Sequence, residues 1–198
     1  LLKNIAGLWL VQECRRAWAR AGDELSYDTI VALANQAPPF QAFVDPDHPS
    51  FSSPDDMPRA IQNFCAITGQ AIPQDRGSIL RVAFASLALK YRVTLEQLER
   101  ILGYPLDAIH VVGGGSQNQL LCQFTADACA RPVYAGPVEA TALGNILAQM
   151  IANGDCASWV QAREIVRATF PVQLFQPLHA EQWDDAFARF KQILERKV

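Results

Sequence analysis

Three consecutive glycines stand in the run Val111-Val112-Gly113-Gly114-Gly115-Ser116-Gln117-Asn118. Without Cβ atoms this backbone can adopt positive φ, and a ligand can approach its N–H groups closely. A helix that follows such a turn aims its positive end and its unpaired N–H groups at the same place. That suits an anion or the polar edge of a nucleotide. A tight turn in which glycine merely satisfies sterics explains the tripeptide equally well. No lysine follows as in a Walker A loop, and the spacing is not GxGxxG, so those two phosphate-binding mechanisms are excluded.

A second candidate is Gly136-Pro137-Val138-Glu139-Ala140-Thr141-Ala142-Leu143-Gly144-Asn145. Glu139 falls in the first turn of a predicted helix, where the helix dipole alone favours an acid. Gly144 inside that helix costs about 1 kcal/mol against alanine. It predicts a closely packed neighbour there, a helix in preference to a ligand. Asn4 reads as a simple N-cap and Gln12 as a solvated helix residue, with Gly7 between them; pattern alone singles out neither. His110, in a predicted strand, reads as a hydrogen-bonded structural histidine. His48 and His179 have no companions at metal-ligand spacing. Asp127 reads as a solvated or capping acid, and Trp9, Trp18, Trp159 and Trp183 as core or interface anchors.

The elements that must position these residues follow from apolar periodicity and breakers. Helices are predicted over Ile5–Ala21, Ser26–Asn35, Asp55–Thr68 and Ser78–Leu102, the last with a break near Val93-Thr94. Six prolines between Ala37 and Pro58 predict a loop wrapping a surface around the short extended piece Ala42-Phe43-Val44. Then come a strand (Ala108–Val112), the glycine turn, a helix (Asn118–Ala130), a strand (Pro132–Ala135) and a helix (Val138–Asn153). Strand, turn, helix, strand, helix is the pattern of an α/β sheet with crossover helices. Helices over Trp159–Ala168 and Ala180–Lys197 close the chain, with Phe170–Phe175 extended along a sheet edge between them.

At 198 residues the chain is long enough for one domain with a sizeable core, or at most two small ones. With 17 basic and 20 acidic residues the net charge is −3, leaving no basic excess for nucleic acid. The longest apolar stretch, Val82–Leu89, is too short to span a bilayer. Five scattered cysteines with no CxxC pair read as reduced cytosolic thiols, and Cys122 and Cys129, two helical turns apart, cannot bridge. The expectation is a cytoplasmic protein with no membrane and no nucleic-acid partner. A chain opening Leu-Leu-Lys-Asn so close to its first helix reads as a piece of a longer polypeptide.

Together these segments resemble the C-terminal half of the FGGY family of carbohydrate kinases, and within it the rhamnulokinase branch. The resemblance rests on Lys3-Asn4-Ile5-Ala6-Gly7-Leu8-Trp9-Leu10-Val11-Gln12-Glu13-Cys14, Ala42-Phe43-Val44-Asp45-Pro46 and Ser86-Leu87-Ala88-Leu89-Lys90-Tyr91. It continues through His110–Asn118, Ala126-Asp127-Ala128-Cys129 and Gly136–Asn145. The resemblance implies an α/β, ribonuclease-H-like (actin-like) fold. Residues 1–198 would then be the helix-rich, nucleotide-binding C-terminal lobe of a two-lobed enzyme, incomplete at its N-terminal end. The implied reaction is transfer of phosphate from ATP, with Mg²⁺, to a ketose, most closely L-rhamnulose.

The resemblance also assigns roles. Asn4 contacts the sugar, Gln12 contacts ATP, and Gly114 offers ATP its amide nitrogen. Gly113 and Gly115 shape the same pocket, and Asn118 lines its adenosine side. The family's catalytic aspartate, with the N-terminal lobe and the hairpin that starts the C-terminal one, matches nothing here and is expected before Leu1. The implied partners are sugar, ATP and that missing lobe, with no oligomeric state implied. Thr125 stands where some members have a cysteine paired with the one matching Cys129, so that pair cannot form. Two alternatives stay open: an FGGY kinase of the fuculose, xylulose or glycerol type, and a non-catalytic sugar or nucleotide sensor.

Overall fold

Residues 3–196 are described by a computed structural model. Their order is α1 (Trp9–Arg20), α2 (Tyr27–Gln36), α3 (Met57–Ile67), α4 (Arg76–Leu102), β1 (Ile109–Val111), α5 (Gln119–Cys129), β2 (Val133–Ala135), α6 (Ala140–Asn153), α7 (Trp159–Thr169), β3 (Gln173–Phe175) and α8 (Ala180–Glu195). The expected end of the last helix, Lys197, lies outside the described residues, as does Leu1.

Helix α4 is the spine. Asp75 caps it, accepting from the Ser78 N–H at 2.9 Å and the Ser78 hydroxyl at 2.7 Å. These bonds hold the Asp75 carboxyl below its ordinary range. From Gly77 to Leu89 every residue but Arg81 is buried, because α2 and α5 pack against this half of the helix. The expected break near Val93-Thr94 does not occur. The Thr94 hydroxyl instead donates back to the Lys90 carbonyl at 3.1 Å, within an unbroken helix that ends at Gly103 with φ 79°.

The proline-rich loop does not simply wrap the surface. Ala42, Phe43 and Val44 are at most 1% exposed and form no strand. Backbone buried without a ladder needs other partners. Gln70 supplies two, accepting from the Phe43 N–H and donating to its carbonyl, both at 2.8 Å, and the Ser86 hydroxyl accepts from the Val44 N–H at 2.9 Å.

The sheet has the order β1-β2-β3, with β1 parallel and β3 antiparallel to β2. The predicted extended segment after α7 thus does line a sheet edge. Helix α5 provides the crossover, and Ile109, Val111, Val133, Ala135 and Phe175 cluster with its Cys122 and Ala126. Helices α6 and α7 form an outlying pair around Leu147, Cys156 and Ala162. Gly144 contradicts the expected helix contact: a Cβ there would meet nothing within 4 Å, so no neighbouring helix packs on it among the described residues. Glu139 is the residue before α6 rather than part of its first turn, and its side chain makes no capping bond.

Candidate functional site

The chain leaves β1 through Gly113, whose φ of 78° and ψ of −166° are disfavoured for residues with a side chain. Its N–H donates to the Pro137 carbonyl at 3.2 Å, and the Gly136 N–H donates to Val111 at 2.8 Å. The loops after β1 and β2 are therefore braced against each other. The Gly113 carbonyl is taken by the Ser116 N–H at 3.0 Å and the Ser116 hydroxyl at 2.7 Å.

Gly114–Gln117 makes a single 3₁₀ turn. As its first residues, Gly114 and Gly115 have no carbonyl behind them to accept their N–H groups, and no other acceptor is found among the described residues. Gly114 is exposed, its φ is not in the left-handed region, and a Cβ would meet nothing within 4 Å. Asn118 ends the turn and caps α5, its side-chain oxygen accepting from the Leu121 N–H at 2.9 Å. The positive end of α5 thus lies directly behind the turn.

A groove of about 610 Å³ runs beside β1. Ile5, Gly7 and Leu8 line one side, Tyr91 and Leu95 of α4 another, and Gly115 reaches it from the turn. The walls are mainly apolar, which suits packing rather than a triphosphate. Burial, with the Cys122 and Cys129 thiols nearby, pushes the Tyr91 phenol up to about 12.

Of the residues singled out from sequence, the structure joins Gly113, Gly114, Gly115 and Asn118 in one turn. Gly115 alone of them lines the groove. Asn4 is exposed and precedes the segment that does. It is no helix cap, because α1 begins only at Trp9, after Gly7 with φ 55°. Gln12 is half-buried on α1, and its amide has no hydrogen-bond partner among the described residues. The structure shows no contact of Asn4 or Gln12 with the glycine turn.

Three other readings change. His110 is exposed and stacks on Tyr134, with ring centroids 5.2 Å apart, on the sheet face away from α5. Asp127 is 3% exposed rather than solvated, accepting from the Leu178 N–H at 2.8 Å and the Gln123 amide at 2.9 Å. It ties the tail to α5. The tryptophans divide: Trp183 is 2% exposed in the core and Trp159 is 52% exposed.

Sequence reasoning missed what holds the segment before α1. Asp47 accepts from the Ala6 N–H at 3.0 Å, and the Trp9 indole donates to the Phe51 carbonyl at 2.8 Å. Lys90 lies 2.7 Å from Asp45 and 3.1 Å from Asp47. The available signal was a lysine ending a long apolar run, with Asp45-Pro46-Asp47 elsewhere in the chain.

The family described as FGGY family of carbohydrate kinases, C-terminal domain, matches residues 1–153. A rhamnulokinase of Bacteroides thetaiotaomicron is 41% identical over 191 residues, covering 96% of this chain and 39% of that protein. A rhamnulokinase of Enterococcus faecalis is 42% identical over 177 residues, covering 88% of this chain and 35% of that protein. A xylulose kinase structure from Rhodospirillum rubrum matches with a TM-score of 0.65 at 22% identity, over 93% of this chain and 36% of that one. The chain thus spans well under half the length of the proteins it matches.

Proposed function

The chain belongs to the FGGY family of carbohydrate kinases, and from that premise we propose that it supplies the ATP side of a kinase converting L-rhamnulose to L-rhamnulose 1-phosphate. The choice of sugar follows the rhamnulokinases that resemble it over most of its length. In this reading residues 1–198 are one C-terminal lobe, and the catalytic aspartate and most of the sugar pocket come from elsewhere in the protein. Five buried free thiols favour a reducing, cytoplasmic setting.

The observation that carries the nucleotide assignment is the pair of unpartnered N–H groups at Gly114 and Gly115. They are fixed donors ahead of a helix N-terminus, so they bind an anionic or polar edge without reorganising. Gly113 and its brace to Pro137 hold the turn, and Asn118 keeps α5 in line while its amide nitrogen is left for the adenosine. Gln12 offers an unpaired amide to ATP, and Asn4, exposed ahead of the groove, offers one to the sugar. Mg²⁺ arrives with ATP as part of the substrate. In-line transfer then depends on holding acceptor, base and nucleotide together, because positioning and electrostatics supply nearly all of this catalysis.

Rates of the whole protein on L-rhamnulose, L-fuculose, xylulose and glycerol test the reading. L-rhamnulose should give the highest kcat/KM. A higher value on any of the other three would overturn the choice of sugar.

A further inference from the structure

The segment that carries Asn4 is tied to the core by a relay. Ala6, two residues beyond Asn4, donates its N–H to Asp47 at 3.0 Å. Asp47 is 3.1 Å from the Lys90 ammonium, which also lies 2.7 Å from Asp45. Lys90 rides on α4, and its side chain is only 12% exposed. A carboxylate on an open loop swings freely. One clamped by a largely buried lysine side chain on a core helix does not, and the backbone N–H it holds is fixed with it. The Trp9 indole, bonded to Phe51, pins the other end of the segment to the same loop. Asn4 itself has no side-chain partner among the described residues, so the backbone at Ala6 sets where it stands.

We propose that Asp47 and Lys90 are positioning residues for the sugar, holding segment 4–8 so that Asn4 meets the substrate. This rests on the kinase reading above. Of the groups assigned to ATP, Gly114 rides on the separate β1–α5 turn, and Gln12, though its N–H donates to the Leu8 carbonyl at 2.9 Å, lies within α1, which packs on α3 and α4. Loosening the relay should therefore weaken sugar recognition and spare ATP.

The test is steady-state kinetics of the whole protein with each substrate varied in turn. For Asp47→Ala, KM for L-rhamnulose should rise about 10-fold, while KM for ATP stays within about 2-fold. Asp47→Asn keeps an oxygen able to accept from Ala6 and should lie closer to wild type. Lys90→Gln leaves the carboxylate unclamped and should raise the sugar KM less than Asp47→Ala does. If Asp47→Ala fails to fold, Lys90→Gln and Asp47→Asn decide. An unchanged sugar KM, or equal rises for both substrates, would mean that the ion pairs serve stability alone. A wild-type protein that turns over no sugar would instead bring down the kinase reading, and this inference with it.

Discussion

Gly113 and Gly114 are adjacent and chemically identical, yet the backbone gives them different tasks. Gly113 has a left-handed φ of 78°, so Gly113→Ala should cost about 1–3 kcal/mol in a denaturant melt. Gly114 has open space where a Cβ would go and no left-handed φ. Gly114→Val should therefore fold like wild type by circular dichroism and still lose about 10-fold or more in ATP affinity, because the side chain fills the approach to the N–H. Unchanged affinity in that folded variant would return the turn to a purely steric role. The thiols make a separate prediction. Burial pushes Cys65 up to about 12 and Cys122 up to about 11, and it lifts Cys129 to about 12 although Arg92 and Arg131 pull the other way. These groups stay neutral in the fold while the unfolded chain ionises near the ordinary value of 9.0. Their contribution is complete below pH 9 and is lost as pH rises towards 11–12, so denaturant midpoints should fall across that window. At pH 8 the native protein should react slowly with a thiol reagent, and all five cysteines should react once it is unfolded.

At the scale of elements, two helical glycines exchange their expected importance. Gly144 reads from sequence as a costly glycine in an apolar helix, but α6 is an outlying element and a Cβ there would meet nothing within 4 Å among the described residues. Gly144→Ala should stabilise the protein by up to about 1 kcal/mol, since helix propensity is all that changes. Gly77 has no such sequence signature, yet it sits where α2 crosses α4, and a Cβ there would come 2.7 Å from the Leu33 carbonyl. That neighbour is backbone and cannot step aside. Gly77→Ala should destabilise by about 1–3 kcal/mol. Thermal melts of both variants check the pair, and a Gly77→Ala protein as stable as wild type would show that α2 yields easily.

For the molecule as a whole, β1 is an edge strand with an apolar groove beside it. Edges of this kind invite pairing with another strand. Residues 1–198 studied alone should self-associate as concentration rises, read by sedimentation velocity; a monomer at every concentration would refute this. Residues 1–198 alone should also show no kinase turnover in a coupled assay with MgATP and L-rhamnulose, since in the proposed reading the base and most of the sugar pocket come from elsewhere in the protein. Turnover that tracks the fragment through purification would place the base within these 198 residues.

Local rules were enough to read most elements from the chain. The helix predicted over Ser26–Asn35, the end of the long helix at Leu102 and the strand–glycine–helix order around Gly113 each depend on a few neighbouring residues, and each is found in the structure. The turn as a candidate site was legible for the same reason. Asn4 and Gln12 were singled out only by the resemblance, because a lone uncharged amide carries no local signature. Tertiary structure decided whatever depends on residues far apart in sequence. Phe43 turns inward because Gln70 satisfies its backbone, Gly77 matters because α2 crosses there, and Asp47 reaches Ala6 because Lys90 holds it from α4. In each case the energy resides in a contact between distant segments, which no local pattern encodes.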